Sequence, residues 1–220
     1  NLKKMGQQQI NQYAIERTTF GDDDYYDIDY WNGSVYKTAK IKGSVIKAGA
    51  SGIGLFSQTA DGTTITNTTT ETSLLGSGVG SLLVTANTFA VGSSYVLKVC
   101  GNIGCLNNSD IVLNVKSGSV VLGTTGTIQL PQVNAQTFEL ELDFTIRQIG
   151  VSGVADIVMN GELSYIQHSS TDLQGHNFLS QNNTTFDTTA NNTLDVTWAW
   201  ATASASNTVN SVVTNLRRTY

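Results

Sequence analysis

Between residues 138 and 147 the chain reads Phe138-Glu139-Leu140-Glu141-Leu142-Asp143-Phe144-Thr145-Ile146-Arg147. Large apolar side chains occupy every second position, the period of a strand with one buried and one wet face. A helix would scatter the same residues around its circumference. Burying all five contributes about 7–15 kcal/mol gross, at roughly 1.5–3 kcal/mol each and before entropy is subtracted. The stretch predicts a core strand.

On either side the same grammar continues. Val154–Met159 and Glu162–Gln167 flank Asn160-Gly161, a dipeptide suited to the positive φ angles of a type I′ turn, so this region predicts a hairpin. Asp61-Gly62 predicts a second, between Leu55–Thr59 and Thr63–Asn67. Further strands are predicted at Ser81–Thr85, Ser94–Cys100, Asp110–Lys116, Ser119–Gly123, Thr127–Leu130 and Thr208–Thr219. Val196, Trp198 and Trp200 alternate with Thr197 and Ala199 near the end. Many short strands with no long helical pattern between them indicate an all-β sandwich or barrel, and an antiparallel two-sheet jelly roll fits best.

The N-terminal region differs. Residues 1–17 are polar and Gln-rich, and then comes Asp22-Asp23-Asp24-Tyr25-Tyr26-Asp27-Ile28-Asp29-Tyr30-Trp31. We read residues 1–33 as an arm or anchor segment and residues 34–220 as the head domain. Tyr25, Tyr26, Tyr30 and Trp31 are candidate docking residues, rigid amphipathic rings of the kind that anchor interfaces; the alternative is a segment folded back on the head. The aspartates do not match the spacing of an EF-hand loop, so no metal site is expected. The chain starts at Asn1 rather than Met, which reads as a processed product or an excised fragment.

Composition narrows the function. Hydrophobic residues make up 40% of the chain and charged residues only 13%, against roughly 25% charged in ordinary soluble domains. The polar remainder is Thr, Ser, Asn and Gly, which suits the neutral, hydrogen-bonding surfaces of shells, fibres and adhesins. A net charge of -5 argues against a nucleic-acid partner, because phosphate binding needs a basic patch. Lys3-Lys4 and Arg217-Arg218 read as solvated chain ends. No apolar run approaches the roughly 18 residues of a membrane-spanning helix, so no membrane insertion is expected.

Individual motifs resolve mostly toward structure. Cys100 and Cys105 enclose the turn formers Gly101 to Gly104; that spacing sets the sulfurs across a hairpin mouth for a disulfide, or leaves two half-buried thiols. Gly76-Ser77-Gly78-Val79-Gly80 lacks the lysine and following helix of a phosphate loop, and reads as a tight corner or a close approach of neighbouring chains. Trp198 and Trp200 share one strand face. Exposed, they make a platform for sugar rings; buried, they are core or interface aromatics, and alignment with Val196 favours burial. Sequons at Asn32, Asn67, Asn107, Asn182, Asn183 and Asn191 are weak signals in a chain so rich in Asn and Thr. A hydrolase needs a nucleophile, a base and an orienting group, or two carboxylates straddling the scissile bond. His168 and His176, both in Ser-, Asn- and Gln-rich sequence, do not compose such a set, so we expect no enzyme and no cofactor.

The strings LLGSGVGSLLVTANTFAVG (Leu74–Gly92), FELELDFTIRQIGVSGVADIVMNGELSY (Phe138–Tyr165), NNTTFDTT (Asn182–Thr189) and TASASNTVNSVVTNLRRTY (Thr202–Tyr220) resemble virus and phage structural proteins with trimeric jelly-roll heads, similar in architecture to tumour necrosis factor. The resemblance covers residues from about 70 to 220. It implies three heads around a threefold axis with the final strand in the inner sheet. Val209, Val212, Val213 and Leu216 would then serve the core or the trimer interface, and the arm would reach other virion proteins. The expected role is a spike, fibre head or capsid-associated homotrimer on the virion, for assembly or for attachment to a host glycan or receptor. The rival expectation is a secreted carbohydrate-binding module or adhesin using Trp198 and Trp200, with a glycan-acting enzyme ranked last.

Overall fold

The computed structural model describes residues 25–31, 36–42, 54–167 and 172–220; side chains of the first two segments, Lys40 apart, lie outside the description. The chain divides into two compact units, residues 1–51 and 52–220. In the first, β1 (Tyr25–Trp31) pairs antiparallel with β2 (Tyr36–Lys42), so the hairpin straddles the expected arm boundary at residue 33.

In the second unit every described element is a strand. The long ones are β8 (Ser94–Cys105), β9 (Ser109–Ser117), β10 (Val120–Leu130), β11 (Val133–Gln148), β12 (Asp156–Ile166), β13 (Leu173–Asn182), β14 (Asn192–Trp200) and β15 (Thr208–Arg218). Shorter pieces are β3 (Gly54–Gln58), β4 (Ile65–Thr66), β5 (Thr72–Ser73), β6 (Gly78–Gly80) and β7 (Leu83–Val84). Two antiparallel sheets pack face to face as a β-sandwich. The larger runs β13-β12-β11-β8-β15-β3-β6 with β4 beside β15; the smaller runs β10-β9-β14-β5 with β7 beside β14.

The alternation that predicted the core strand holds. Phe138, Leu140, Leu142, Phe144 and Ile146 are buried, and β11 lies between β12 and β8 in the large sheet. From the facing sheet come Ile111, Leu113 and Val115 of β9 and Val196, Trp198 and Trp200 of β14, all buried. The two indoles meet edge to face at 5.4 Å, and Trp198 lies 6.4 Å from the ring of Phe138 across the core. Such pairs add to plain area burial.

Several expectations are corrected. Asn160-Gly161 is not a turn, since β12 runs unbroken through it and pairs on both sides, Gly161 with Leu142 and with Phe178. A Cβ on Gly161 would stand 2.3 Å from Phe178 Cζ, so the glycine is the slot that receives this ring. Asp61-Gly62 does not close a hairpin either. β3 and β4 both pair with β15, at opposite ends, and Gly62 N–H donates to Ser211 O at 2.8 Å between them. The strands expected at Ser119–Gly123 and Thr127–Leu130 are one strand, β10, with register shifts after Val121 and Thr124. Strand β13 has no counterpart in the predicted elements.

Candidate functional site

The outer face of the large sheet is the broadest continuous surface that the register defines. One row crosses six strands: Asn177, Glu162, Glu141, Lys98, Asn215 and Ser57. A second row holds Ser164, Glu139, Cys100 and Val213, and a third Asn160, Asp143, Val96 and Arg217. Lys98 Nζ reaches Glu139 Oε1 at 2.7 Å, and this hydrogen bond and charge hold the ammonium above its usual range. Ser57 Oγ donates to Asn215 Oδ1 at 3.1 Å. Where β3, β15 and β8 meet, Val79, Val96, Lys98, Glu141 and Arg217 line an open groove of about 660 Å³.

An apolar pair interrupts this polar face. In β15, Ser211 and Thr214 are fully buried while Val212 and Val213 between them are 39% and 45% exposed. Two successive outward residues mark a β-bulge, and the register against β8 shifts between Ser211 and Val213. A part-buried polar cluster fixes it. Gln58 Oε1 accepts from Thr214 Oγ1 at 2.6 Å and from Gly76 N–H at 3.3 Å, and Gln58 Nε2 donates to Ser211 O at 3.2 Å. The Ser211 hydroxyl lies 2.6 Å from Leu74 O and 3.1 Å from Gln58 Oε1, with one proton to give. Of the four residues predicted for core or interface, Val209 and Leu216 are core, while Val212 and Val213 are surface.

The remaining predicted sites separate. Tyr25, Tyr26, Tyr30 and Trp31 all lie in β1, opposite Lys42, Ile41, Lys37 and Tyr36; their side chains are outside the described residues, as are His168 and Asn32. Trp198 and Trp200 are no more than 1% exposed, which removes the glycan platform. Trp200 Nε1–H donates to Ile65 O at 3.3 Å, whereas Trp198 Nε1–H finds no partner among the described residues. Cys100 and Cys105 are free thiols on one continuous strand. Five residues of extended chain span about 16 Å, far beyond the roughly 7 Å Cα limit for a bridge. Cys105 gives its thiol proton to Pro131 O at 3.2 Å, and burial pushes its pKa up to about 11. No group of three or more His, Cys, Asp or Glu among the described residues is placed to hold a metal.

Three features were not anticipated. Glu71, beside β14, accepts from Thr197 Oγ1 and from Asn114 Nδ2 and meets Lys116, and these bonds hold its carboxyl below the usual range. Asn182 is 8% exposed, so the Asn182 sequon is occupied by the fold. Its Oδ1 accepts from the N–H groups of Thr184, Thr185 and Phe186, and its Nδ2 donates to Val121 O at 3.0 Å. Between the sheets, Phe89 stands edge-on to Tyr95 and Phe186 beside an apolar cavity of about 50 Å³.

The comparisons with known proteins add no family. No family model matches the chain, and no curated protein matches it. The functional reading therefore rests on the surface itself.

Proposed function

We propose that this chain is a particle structural protein, a virion spike, fibre head or capsid-associated subunit, that works as a homotrimer through the outer face of its large sheet. The observation that carries this reading is the exposed Val212–Val213 pair on β15, inside a face whose central rows are mostly polar, among them the Lys98–Glu139 ion pair and the carboxylates of Glu141, Asp143 and Glu162. A bulge held by the hydrogen bonds of Gln58, Ser211 and Thr214 presents two valines to water, and covering them in an assembly relieves that exposure. The low charge content of the chain supports the same reading, since a surface rich in Thr, Ser, Asn and Gly suits close hydrogen-bonded contact in shells and fibres.

Within this reading the sandwich is of the jelly-roll type, with the final strand β15 in the inward-turned sheet, and the β1–β2 pair carries Tyr25, Tyr26, Tyr30 and Trp31 as a docking segment for another virion protein. Binding and assembly are its whole role; no catalysis, cofactor, nucleic acid or membrane insertion is proposed. The carbohydrate-binding reading loses its support with the burial of Trp198 and Trp200.

Val213→Lys tests it. The residue is exposed, so the isolated fold should persist with an unchanged circular-dichroism melt, while the trimer dissociates in sedimentation analysis. A trimer that survives both Val212→Lys and Val213→Lys would remove this face as the assembly surface.

A further inference from the structure

We infer that β13 is a self-pairing edge, on which a second copy of this chain adds its own β13 antiparallel about a twofold axis through His176. The contact is separate from the outer-face surface proposed above and does not depend on it.

Natural sheets protect their edges with lysines, prolines, bulges or very short strands. Strand β13 has none of these. It runs Leu173-Gln174-Gly175-His176-Asn177-Phe178-Leu179-Ser180-Gln181-Asn182, without Pro, Asp, Glu, Lys or Arg, and pairs with β12 over its full length with no register shift. It ends its sheet, with β12 as its only strand neighbour among the described residues. Its C-terminal end is taken by the smaller sheet, since Asn182 Nδ2 donates to Val121 O and a Cβ on Gly123 would meet Ser180 Oγ at 2.9 Å. Among the described residues, the stretch from Leu173 to Leu179 is what stays open.

That stretch carries two of the most exposed large apolar residues described, Leu173 at 71% and Leu179 at 74%. They lie on the same face, six residues apart, at equal distance from His176. An antiparallel partner centred on His176 therefore sets each Leu173 directly opposite Leu179 of the other copy, twice over, at the close spacing of facing side chains. The inner face is already filled by Phe178, so only the outer pair needs covering.

Charge selects the same occupant. The chain carries a net charge of -5, so copies repel over most surfaces, and β13 is a ten-residue strand free of charge. Asp172 precedes the strand and Asp156 accepts from Gln181 Nε2 at 3.0 Å near its far end, while the carboxylate beside its centre is Glu162, opposite Asn177 on β12. In the paired arrangement its row continues through the partner's Gly175 to the partner's Ser164, which keeps the two Glu162 side chains off the same row. Their strands stand about 14 Å apart, three strand spacings, beyond the roughly 8 Å screening length of physiological salt.

The register makes the test specific. Sedimentation velocity over a concentration series compares the full chain with Leu173→Lys/Leu179→Lys and with Leu173→Glu/Leu179→Lys. Both leucines are solvent-facing, so melting temperature serves as the folding control for each variant. The unaltered chain should show a twofold association step; the Lys/Lys variant, with like charges opposed, should weaken it about tenfold or more. The Glu/Lys variant, which sets Glu against Lys across the axis, should restore it to within a few-fold. Absence of a twofold step in the unaltered chain, equal association of the unaltered and Lys/Lys chains, or a Glu/Lys variant no better than Lys/Lys would each overturn the pairing. A trimer that persists unchanged in all three chains would leave the outer-face assembly standing and remove only this edge.

Discussion

Gly161→Ala is the substitution that separates a strand from a turn at Asn160-Gly161. The new methyl would lie 2.3 Å from Phe178 Cζ and 2.5 Å from Cε1, where carbon contacts settle at about 3.5–4 Å, so the ring must retreat by more than about 1 Å. Overpacking of that kind costs about 1–3 kcal/mol. Alanine recovers about 0.5–1 kcal/mol of backbone entropy relative to glycine in extended chain. The net loss is up to about 2.5 kcal/mol, or up to roughly 10 °C in Tm at 2–4 °C per kcal/mol for a unit of this size. The decisive quantity is the coupling to Phe178. In a Phe178→Ala background the methyl has room, and Gly161→Ala should be neutral or stabilising by up to about 1 kcal/mol. Urea denaturation of the four chains of this cycle measures it. If Gly161→Ala costs the same with and without the ring, the glycine is held by a positive φ rather than by Phe178, and the continuous-strand account fails.

Other substitutions probe the remaining supports. Asn182→Ala strips the acceptor from three N–H groups and the donor from Val121 O, and should lower stability by about 2–4 kcal/mol, seen as a melting drop of roughly 5–15 °C. Glu71 has its folded pKa depressed, chiefly by the Thr197 hydroxyl, so its contribution is present above the unfolded carboxylate range and is lost as pH falls through the folded value. Glu71→Gln should therefore flatten the acid limb of the stability profile and leave its alkaline limb unmoved, measured by denaturation between neutral pH and pH of about 3. Cys105, with its thiol raised by burial, should resist iodoacetamide in the folded chain at neutral pH, and denaturation without reductant should give two adducts by mass spectrometry. A single population carrying no adducts after denaturation would mean a disulfide.

What could be read from the sequence and what could not divide along a physical line. Phe138 to Ile146 announced their strand because one face is wholly buried and the other wholly wet, so pattern and packing agree. Val196, Trp198 and Trp200 were legible for the same reason. Asn160-Gly161 misled because turn chemistry is local, whereas the reason for the glycine, the Phe178 ring, arrives from the neighbouring strand. Gly101 misled likewise within the Cys100–Cys105 stretch: a Cβ there would meet Asn210 O of β15 at 1.9 Å, so the residue marks close strand approach rather than a turn. At Val212 and Val213 the parity counted from Val209 is reset by a bulge whose cause, the Gln58 and Ser211 cluster, is assembled from distant segments. Strand β13 left little trace because an edge strand buries few side chains; Phe178 and Asn182 alone reach the buried class. The candidate surface was invisible for a related reason, since it is defined by register across six strands.

Native mass spectrometry of the chain at micromolar concentration puts the assembly reading to its most direct test. One chain weighs 23.5 kDa. The chain should appear as a species of three copies, with multiples of three joined through β13 as concentration rises. A clean monomer at 23.5 kDa across that range would contradict it.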